Sequence, residues 1–124
     1  MENITGCILL GGESKRMGGG IKSLKYFNKK TILDRIIEKS ISQVSNLAIN
    51  CNIENIAIVK YNLPIFSDVI KGYLGPLAGI HASLNWAIQN NPRHNWVFTF
   101  AGDSPFFPNN IVEKLYSKAI KKNK

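Results

Sequence analysis

The chain has 124 residues and a mass of 13.8 kDa, which fits one domain with a single core. Its composition, 44% hydrophobic and 19% charged, is typical of a soluble globular protein, and no apolar run approaches the roughly 18 to 20 residues of a membrane span. The net charge of +8 favours anionic ligands, whether nucleotides, phosphorylated metabolites, nucleic acid or acidic membrane surfaces, and does not choose among them.

The N-terminal region and the cysteines both indicate a cytoplasmic protein. The first ten residues lack a basic region followed by a long apolar stretch, so no secretory signal is predicted. Cys7 and Cys51 have no metal-ligand spacing, and in a reducing compartment we expect free thiols that are buried or half-buried. We interpret the lysines within 118–124 as a solvated helix end rather than a binding tail.

Apolar runs that stop at glycine or proline predict strands alternating with helices. In chain order we predict a strand at 4–10, a glycine-rich loop at 11–23, a helix at 31–43 and a strand at 47–50, followed by a segment at 53–60 that could be strand or helix and a short strand at 63–66. Gly75-Pro76 then opens a helix that has Leu77, Ile80, Leu84 and Ile88 on one face. A strand at 96–100 and a helix at about 108–121 complete the chain. Thr31 is the expected N-cap of the first helix, with Asp34 three residues on.

This alternation implies right-handed crossovers, and therefore a mainly parallel sheet with helices on both faces. Ligands of such sheets bind beyond the carboxyl ends of the strands. Three polar sites follow predicted strands, namely the loop at 11–22, Asp68 and Asp103. We therefore expect these three sites to meet at one edge of the sheet.

The loop at 11–23 has two of the features that bind a triphosphate. Its five glycines, two of which are Gly11 and Gly12, let the backbone approach closely, while Arg16 offers a planar fork and Lys22 a point charge. The spacing matches neither G-x-x-x-x-G-K-[ST] nor G-x-G-x-x-G, which argues against a P-loop ATPase or an NAD enzyme. On composition alone, phosphate binding and a mobile surface loop both stay open.

Two aspartates and one asparagine are candidate ligand contacts. Asp103 directly follows a buried strand, where a carboxylate is well placed to hold Mg²⁺, although a turn or helix cap in Asp-Ser-Pro is the alternative. Asp68 and Asn50 also follow strands, and each by itself is more often a turn residue. No nucleophile with an adjacent base is present in the sequence.

Three motifs occur in a fixed order along the chain. Residues 9–18, LLGGESKRMG, followed by Lys22, resemble L-x-G-G-x-S-x-R-M-G-x-x-x-K; residues 75–79 resemble G-P-L-A-G; and residues 103–106, DSPF, resemble D-x-P-[FY]. These are the motifs of the molybdenum cofactor guanylyltransferases, the MobA family, at similar separations. The resemblance covers nearly the whole chain.

This resemblance implies a Rossmann-like, three-layer α/β/α nucleotidyltransferase fold over residues 1–124 and transfer of GMP from GTP to the terminal phosphate of molybdenum-molybdopterin, with Mg²⁺ required. The acceptor phosphate is its own nucleophile, so Lys22, Arg16 and Mg²⁺ on Asp103 would suffice to offset the charge of the reacting phosphates. The family's nucleotide contacts match Leu9, Leu10, Gly11, Gly12, Lys22, Asn50, Asp68 and Asp103, and Asp103 also matches the metal ligand.

The chain departs from the family in two ways. Ile21 stands where many relatives carry an acidic residue. Family members are also substantially longer, so the resemblance implies a chain truncated at the C-terminus that lacks much of the pterin-acceptor site and leaves a sheet edge uncovered.

Three alternatives to guanylyl transfer remain. The first is a cytidylyltransferase acting on the same pterin, or another MobA-like nucleotidyltransferase. The second is a non-catalytic basic module that binds nucleotides or nucleic acid, for which the sequence has no recognised motif. The third is a degraded relative that folds but has no activity. The expected partners are the small molecules GTP and molybdenum-molybdopterin, with no membrane and no nucleic acid. Transient contact with molybdenum-cofactor proteins is a further hypothesis.

Overall fold

The computed structural model shows a parallel sheet with helices on either side. It describes residues 3–10, 24, 26–27, 29–52, 56–68, 76–102 and 106–122. The strands are β1 (Ile4–Leu9), β2 (Tyr26–Phe27), β3 (Lys30–Thr31), β4 (Asn46–Asn50), β5 (Ile65–Phe66) and β6 (Trp96–Ala101). The helices are α1 (Ile32–Ser40), α2 (Ile56–Val59), α3 (Pro76–Asn90) and α4 (Ile111–Lys122). None of the described helices combines the length and apolar character needed to cross a bilayer.

The sheet has the strand order β5-β4-β1-β6, and all three strand pairs in it are parallel. This confirms the mainly parallel sheet that the alternating pattern predicts. The central strand β1 fixes the register of its neighbours, since Leu9 lies opposite Asn50 on β4 and opposite Ala101 on β6. Strands β2 and β3 form a separate antiparallel pair, which the sequence did not predict because each strand is only two residues long.

Alternate residues of β1 pack on opposite layers of helices. Ile4 and Ile8 belong to the apolar core that includes Leu33 and Ile36 of α1 and Val112 of α4, all of them fully buried. From the other face of β1, Cys7 hydrogen-bonds to Ser83 of α3. The period of two along a strand thus gives each face of the sheet its own helices, and the predicted three-layer α/β/α fold is confirmed.

Helix α1 begins at a complete capping box. The Thr31 side chain accepts a hydrogen bond from the Asp34 backbone N–H at 2.9 Å, and Asp34 Oδ2 accepts one from the Thr31 backbone N–H at 2.9 Å. The Tyr61 hydroxyl donates to the other Asp34 oxygen. The predicted N-cap is confirmed, while the helix ends at Ser40 rather than near residue 43.

Helix α3 turns the predicted apolar face toward solvent. The exposed fractions of Leu77, Leu84 and Ile88 are 73%, 47% and 70%. The buried residues of the helix are small instead: Ala78, Gly79, Ala82, Ser83 and Ala87. Small side chains let the helix lie close to the sheet, and this close approach, rather than the largest apolar residues, decides which face is buried.

The remaining boundaries differ from the predicted ones by a few residues. The segment of open type contains the short helix α2, whose Ile58 is buried in the core. Strand β5 begins at Ile65 rather than 63, and α4 begins at Ile111 rather than near 108. Cys7 and Cys51 are both buried thiols that form no disulfide, as predicted.

Candidate functional site

The carboxyl ends of the four parallel strands lie in one row joined by backbone hydrogen bonds. Gly102 N–H donates to Leu9 O at 3.0 Å, Leu10 N–H donates to Asn50 O at 2.7 Å, and Cys51 N–H donates to Phe66 O at 2.9 Å. Each of these bonds lies at or just beyond the end of a strand. Whatever follows these strands therefore leaves the sheet along a single edge, which we call the carboxyl edge.

Two segments with candidate phosphate and metal contacts leave from this edge. The chain passes from Leu10 into the glycine-rich loop, and from Gly102 into the segment that opens with Asp103. Because β1 and β6 are adjacent and in register, both segments start from neighbouring strands, about 5 Å apart. Five residues predicted to act there lie outside the described residues, namely Gly11, Gly12, Arg16, Lys22 and Asp103.

Asn50 ends β4 with its side chain completely buried. Its Nδ2 donates to Asp68 Oδ1 at 2.9 Å and lies 3.5 Å from Phe66 O. A carboxylate only accepts hydrogen bonds, so the amide nitrogen must face Asp68 and Oδ1 must point away. Within the described part of the chain this Oδ1 has no hydrogen-bond donor. An unsatisfied buried acceptor costs about 1–3 kcal/mol.

Asp68 lies two residues beyond β5 and is half-buried. Besides the bond from Asn50, its Oδ2 accepts a hydrogen bond from Asn52 Nδ2 at 2.9 Å, and its backbone N–H donates to Asn52 Oδ1 at 2.7 Å. Two neighbouring strands thus supply one amide–carboxylate cluster. Sequence reasoning missed Asn52, although Asn50-x-Asn52 in extended chain places both side chains on the same side.

Gly79, in the first turns of α3, packs against the buried side of this cluster at Asn50. A Cβ atom at this position would lie 3.0 Å from Asn50 Oδ1 and 3.2 Å from Leu9 Cδ2. Such contacts are tighter than ordinary van der Waals distances. The missing side chain therefore lets the helix approach the end of β1 and the buried amide.

The titratable groups elsewhere do not extend the cluster. Burial raises the pKa of the Cys7 thiol to about 11, a shift that the hydrogen bond with Ser83 only partly offsets, so Cys7 is not a ready nucleophile. His81 is exposed on α3, and the His94 ring is hydrogen-bonded to the Thr5 hydroxyl at 2.7 Å, near the amino end of β1. Neither histidine lies at the carboxyl edge.

A divalent metal at the carboxyl edge would need oxygen ligands from the chain or from its substrate. Among the described residues, no group of three or more His, Cys, Asp or Glu side chains could enclose an ion. Mg²⁺ is commonly bound by one or two carboxylates together with substrate phosphates and water, and so needs no such group. Asp103, the first residue beyond Gly102, would supply a carboxylate at this edge.

The fold is that of open parallel α/β proteins, a class whose ligands bind at the carboxyl ends of the strands. Residues 6–124 match the family model described as the MobA-like NTP transferase domain. The chain therefore belongs to the MobA-like NTP transferase domain family, as its three motifs indicate.

Curated relatives carry the name of one activity. A molybdenum cofactor guanylyltransferase of Mesorhizobium japonicum is 40% identical over 118 residues, which are 95% of this chain and 56% of the relative. One of Yersinia pestis strain Pestoides F is 40% identical over 114 residues, which are 92% of this chain and 56% of the relative. The chain thus spans about half the length of the curated relatives it matches.

Solved structures agree with the fold. Molybdopterin-guanine dinucleotide biosynthesis protein A of Archaeoglobus fulgidus superposes with a TM-score of 0.66 at 25% identity, covering 95% of this chain and 56% of that chain. The Mycobacterium tuberculosis protein Rv0371C in complex with manganese superposes with a TM-score of 0.64 at 15% identity, covering 94% of this chain and 59% of that chain. The second similarity supports the fold alone.

Proposed function

We propose that this chain is the nucleotide-binding part of a molybdenum cofactor guanylyltransferase. The reaction transfers GMP from GTP to the terminal phosphate of molybdenum-molybdopterin and releases pyrophosphate. The observation that carries the proposal is the meeting of Leu10, Asn50 and Asp68 at one edge of the sheet. The 40% identity to proteins of that name, over most of this chain, supports the same activity.

Asn50 and Asp68 are suited to the nucleoside rather than to the phosphates. Both oxygens of Asp68 and the unpartnered Oδ1 of Asn50 are acceptors, so they require N–H or O–H donors. Bases and ribose have such donors, whereas ionised phosphates do not and would be repelled by the carboxylate. Because Asn50 is completely buried and Asp68 only half-buried, Asp68 would be the group that meets the nucleoside directly.

The glycine-rich loop would bind the phosphates. Gly11 and Gly12 follow β1 at the carboxyl edge, and the family resemblance assigns nucleotide contacts to these glycines and to the backbone of Leu9 and Leu10. Lys22 and Arg16 would offset the negative charge that shifts from the α-phosphate to the departing pyrophosphate as the acceptor oxygen attacks phosphorus. No separate nucleophile or strong base is needed, since the attacking phosphate oxygen is already ionised.

Asp103 would hold the divalent metal. Bound Mg²⁺ supplies charge neutralisation and orientation of the phosphates. In this proposal, Asp103 places one carboxylate beside the end of β1, from which the glycine-rich loop departs.

Calorimetric titration of the chain with GTP, CTP and ATP, each with and without Mg²⁺, tests the proposal. We expect GTP to bind most tightly and Mg²⁺ to strengthen the binding. Preference for CTP would indicate the cytidylyltransferase instead. Absence of binding to any nucleotide, combined with RNA binding that is lost on removal of residues 118–124, would favour a basic nucleic-acid-binding module.

Two substitutions test the assigned roles. Lys22→Ala should weaken GTP binding by about tenfold to a hundredfold, the usual effect of losing a charged hydrogen bond. Asp103→Asn should reduce turnover about a hundredfold or more and abolish the response to Mg²⁺. Lys118→Ala and Glu113→Gln, which change exposed side chains of α4, are the matched controls. Near-normal activity of either test variant would contradict the assignment.

The cytoplasm is the compartment we propose for this reaction. The two cysteines, Cys7 and Cys51, form no disulfide, which suits a reducing environment. Fractionation of cells that express the natural protein would test the location, and recovery with an extracellular or membrane fraction would contradict it.

A further inference from the structure

Asn52 and Asp68 form a reciprocal pair across the ends of β4 and β5. The Asn52 amide donates to the Asp68 carboxylate at 2.9 Å, and the Asn52 carbonyl oxygen accepts from the Asp68 backbone N–H at 2.7 Å. One exposed side chain thus holds both the backbone and the side chain of Asp68. A turn residue that only stabilised its own loop would need neither bond to a residue sixteen positions away.

The two asparagines together fix the plane of the Asp68 carboxylate. Oδ1 accepts from Asn50 Nδ2 at 2.9 Å and Oδ2 accepts from Asn52 Nδ2 at 2.9 Å. A carboxylate has about four acceptor directions in total, so each oxygen keeps one for another donor. With both oxygens held, rotation of the carboxylate would break at least one bond, and the free acceptor directions have a defined orientation.

We propose that Asn52 is a positioning residue for nucleoside binding, and this inference rests on the proposed function. Asn52 does not touch the nucleotide. It holds the Asp68 carboxylate in the orientation that accepts hydrogen bonds from the nucleoside, while Asn50 holds the same carboxylate from the buried side. An oriented acceptor binds more tightly because less conformational freedom is lost when the ligand arrives.

A double-mutant cycle with Asn52→Ala and Asp68→Ala tests this role by calorimetry with GTP. In the natural background, Asn52→Ala should weaken GTP binding about threefold to tenfold, as expected for the loss of about one net hydrogen bond. In the Asp68→Ala background, the same substitution should change the affinity less than about twofold, since Asn52 acts only through Asp68. Asn90→Ala is the matched control, because Asn90 is an exposed asparagine whose side-chain amide, like that of Asn52, donates a hydrogen bond at 2.9 Å, in this case to the backbone oxygen of Trp86.

Two further readouts separate positioning from a general effect on the loop. Inorganic pyrophosphate, which lacks the nucleoside, should bind equally well to the natural chain and to Asn52→Ala. Asn52→Asp keeps an acceptor for the Asp68 N–H but sets a carboxylate against Oδ2. Because the two carboxylates repel each other, its GTP affinity should be at least as low as that of Asn52→Ala.

The results distinguish this inference from the proposed function. If the natural chain binds no GTP, both the proposed function and the role of Asn52 are overturned. If GTP binds but the two substitutions are additive, or if Asn52→Ala weakens pyrophosphate as much as GTP, only the role of Asn52 is overturned. Loss confined to GTP, with no added loss in the Asp68→Ala background, establishes it.

Discussion

Replacing Gly79 by alanine would test how closely α3 must lie over the carboxyl edge. In an ordinary helix interior this change stabilises a protein by about 0.8–1 kcal/mol, because glycine is a poor helix former. At Gly79 the added Cβ would stand 3.0 Å from Asn50 Oδ1 and 3.2 Å from Leu9 Cδ2. Asn50 cannot easily retreat, since it is completely buried and bonded to Asp68.

The two effects oppose each other, and the steric one should prevail. Overpacking of a tight interior costs typically about 1–3 kcal/mol, so the net change should be a loss of about 0–2 kcal/mol. For a chain of this size that corresponds to a fall in the thermal midpoint of up to about 8 °C. GTP affinity should fall as well, because displacing Asn50 disturbs the Asp68 carboxylate.

Thermal unfolding followed by circular dichroism measures the effect, and Asn50→Ala supplies the control background. Without Oδ1 the main contact disappears, so Gly79→Ala should be less costly there, with a coupling of about 0.5–3 kcal/mol between the two positions. A rise in the midpoint of the single variant, or an identical cost in both backgrounds, would refute the idea that the Asn50 amide limits the approach of the helix.

Three other properties follow from the buried groups. Burial alone would raise the pKa of Asp34, but hydrogen bonds from Tyr61 and Thr31 outweigh burial and hold this pKa below the ordinary 3.8, so the stability that these bonds contribute is present above pH 3.8 and lost as the pH falls through the folded pKa. In urea unfolding, the stability advantage of the natural chain over Asp34→Asn should be constant above pH 5 and shrink below pH 3.8. A constant advantage down to pH 2 would contradict this prediction. Ile36→Ala should cost about 2–5 kcal/mol and Ile41→Ala, half-exposed at the end of α1, less than about 1, and equal costs in chemical denaturation would be the contrary result. Iodoacetamide at pH 8 should leave Cys7 unmodified until urea is added, since burial raises its pKa to about 11, whereas a rapid adduct that peptide mass spectrometry maps to Cys7 of the native chain would disprove this.

Local patterns that carry their own chemistry were predicted well from the sequence. Thr31 and Asp34 at the start of an apolar period of 3.6 indicated both a helix and its cap, and the structure has the complete capping box. The mostly apolar run at β1, which ends at glycines, indicated a strand buried on both faces, and the structure has that strand. Such predictions succeed because every interaction involved lies within a few residues of the chain.

The orientation of α3 could not be predicted in the same way. Its largest apolar residues recur on one face, and hydrophobicity alone favours burying that face, yet Leu77 and Ile88 are exposed while Ala82 and Ser83 are buried. The decisive quantity is the distance between helix and sheet, which is set where Gly79 meets Leu9. That distance depends on residues seventy positions apart, and no local period encodes it.

The carboxyl edge shows the same limit at the level of single side chains. The spacing Asn50-x-Asn52 by itself indicates that both amide side chains lie on the same side of the extended chain. Which carboxylate lies opposite the two amides depends on the pairing of β4 with β5. That pairing is short, with Asn50 opposite Phe66, and Asp68 follows two residues later. A slip of one residue would turn Asp68 to the other face of the sheet and leave both amides without their acceptor. The register of a two-residue strand therefore determines whether Asp68 meets the two amides, and the hydrogen bonds of Asn50 and Asn52 with Asp68 stabilise that register in turn.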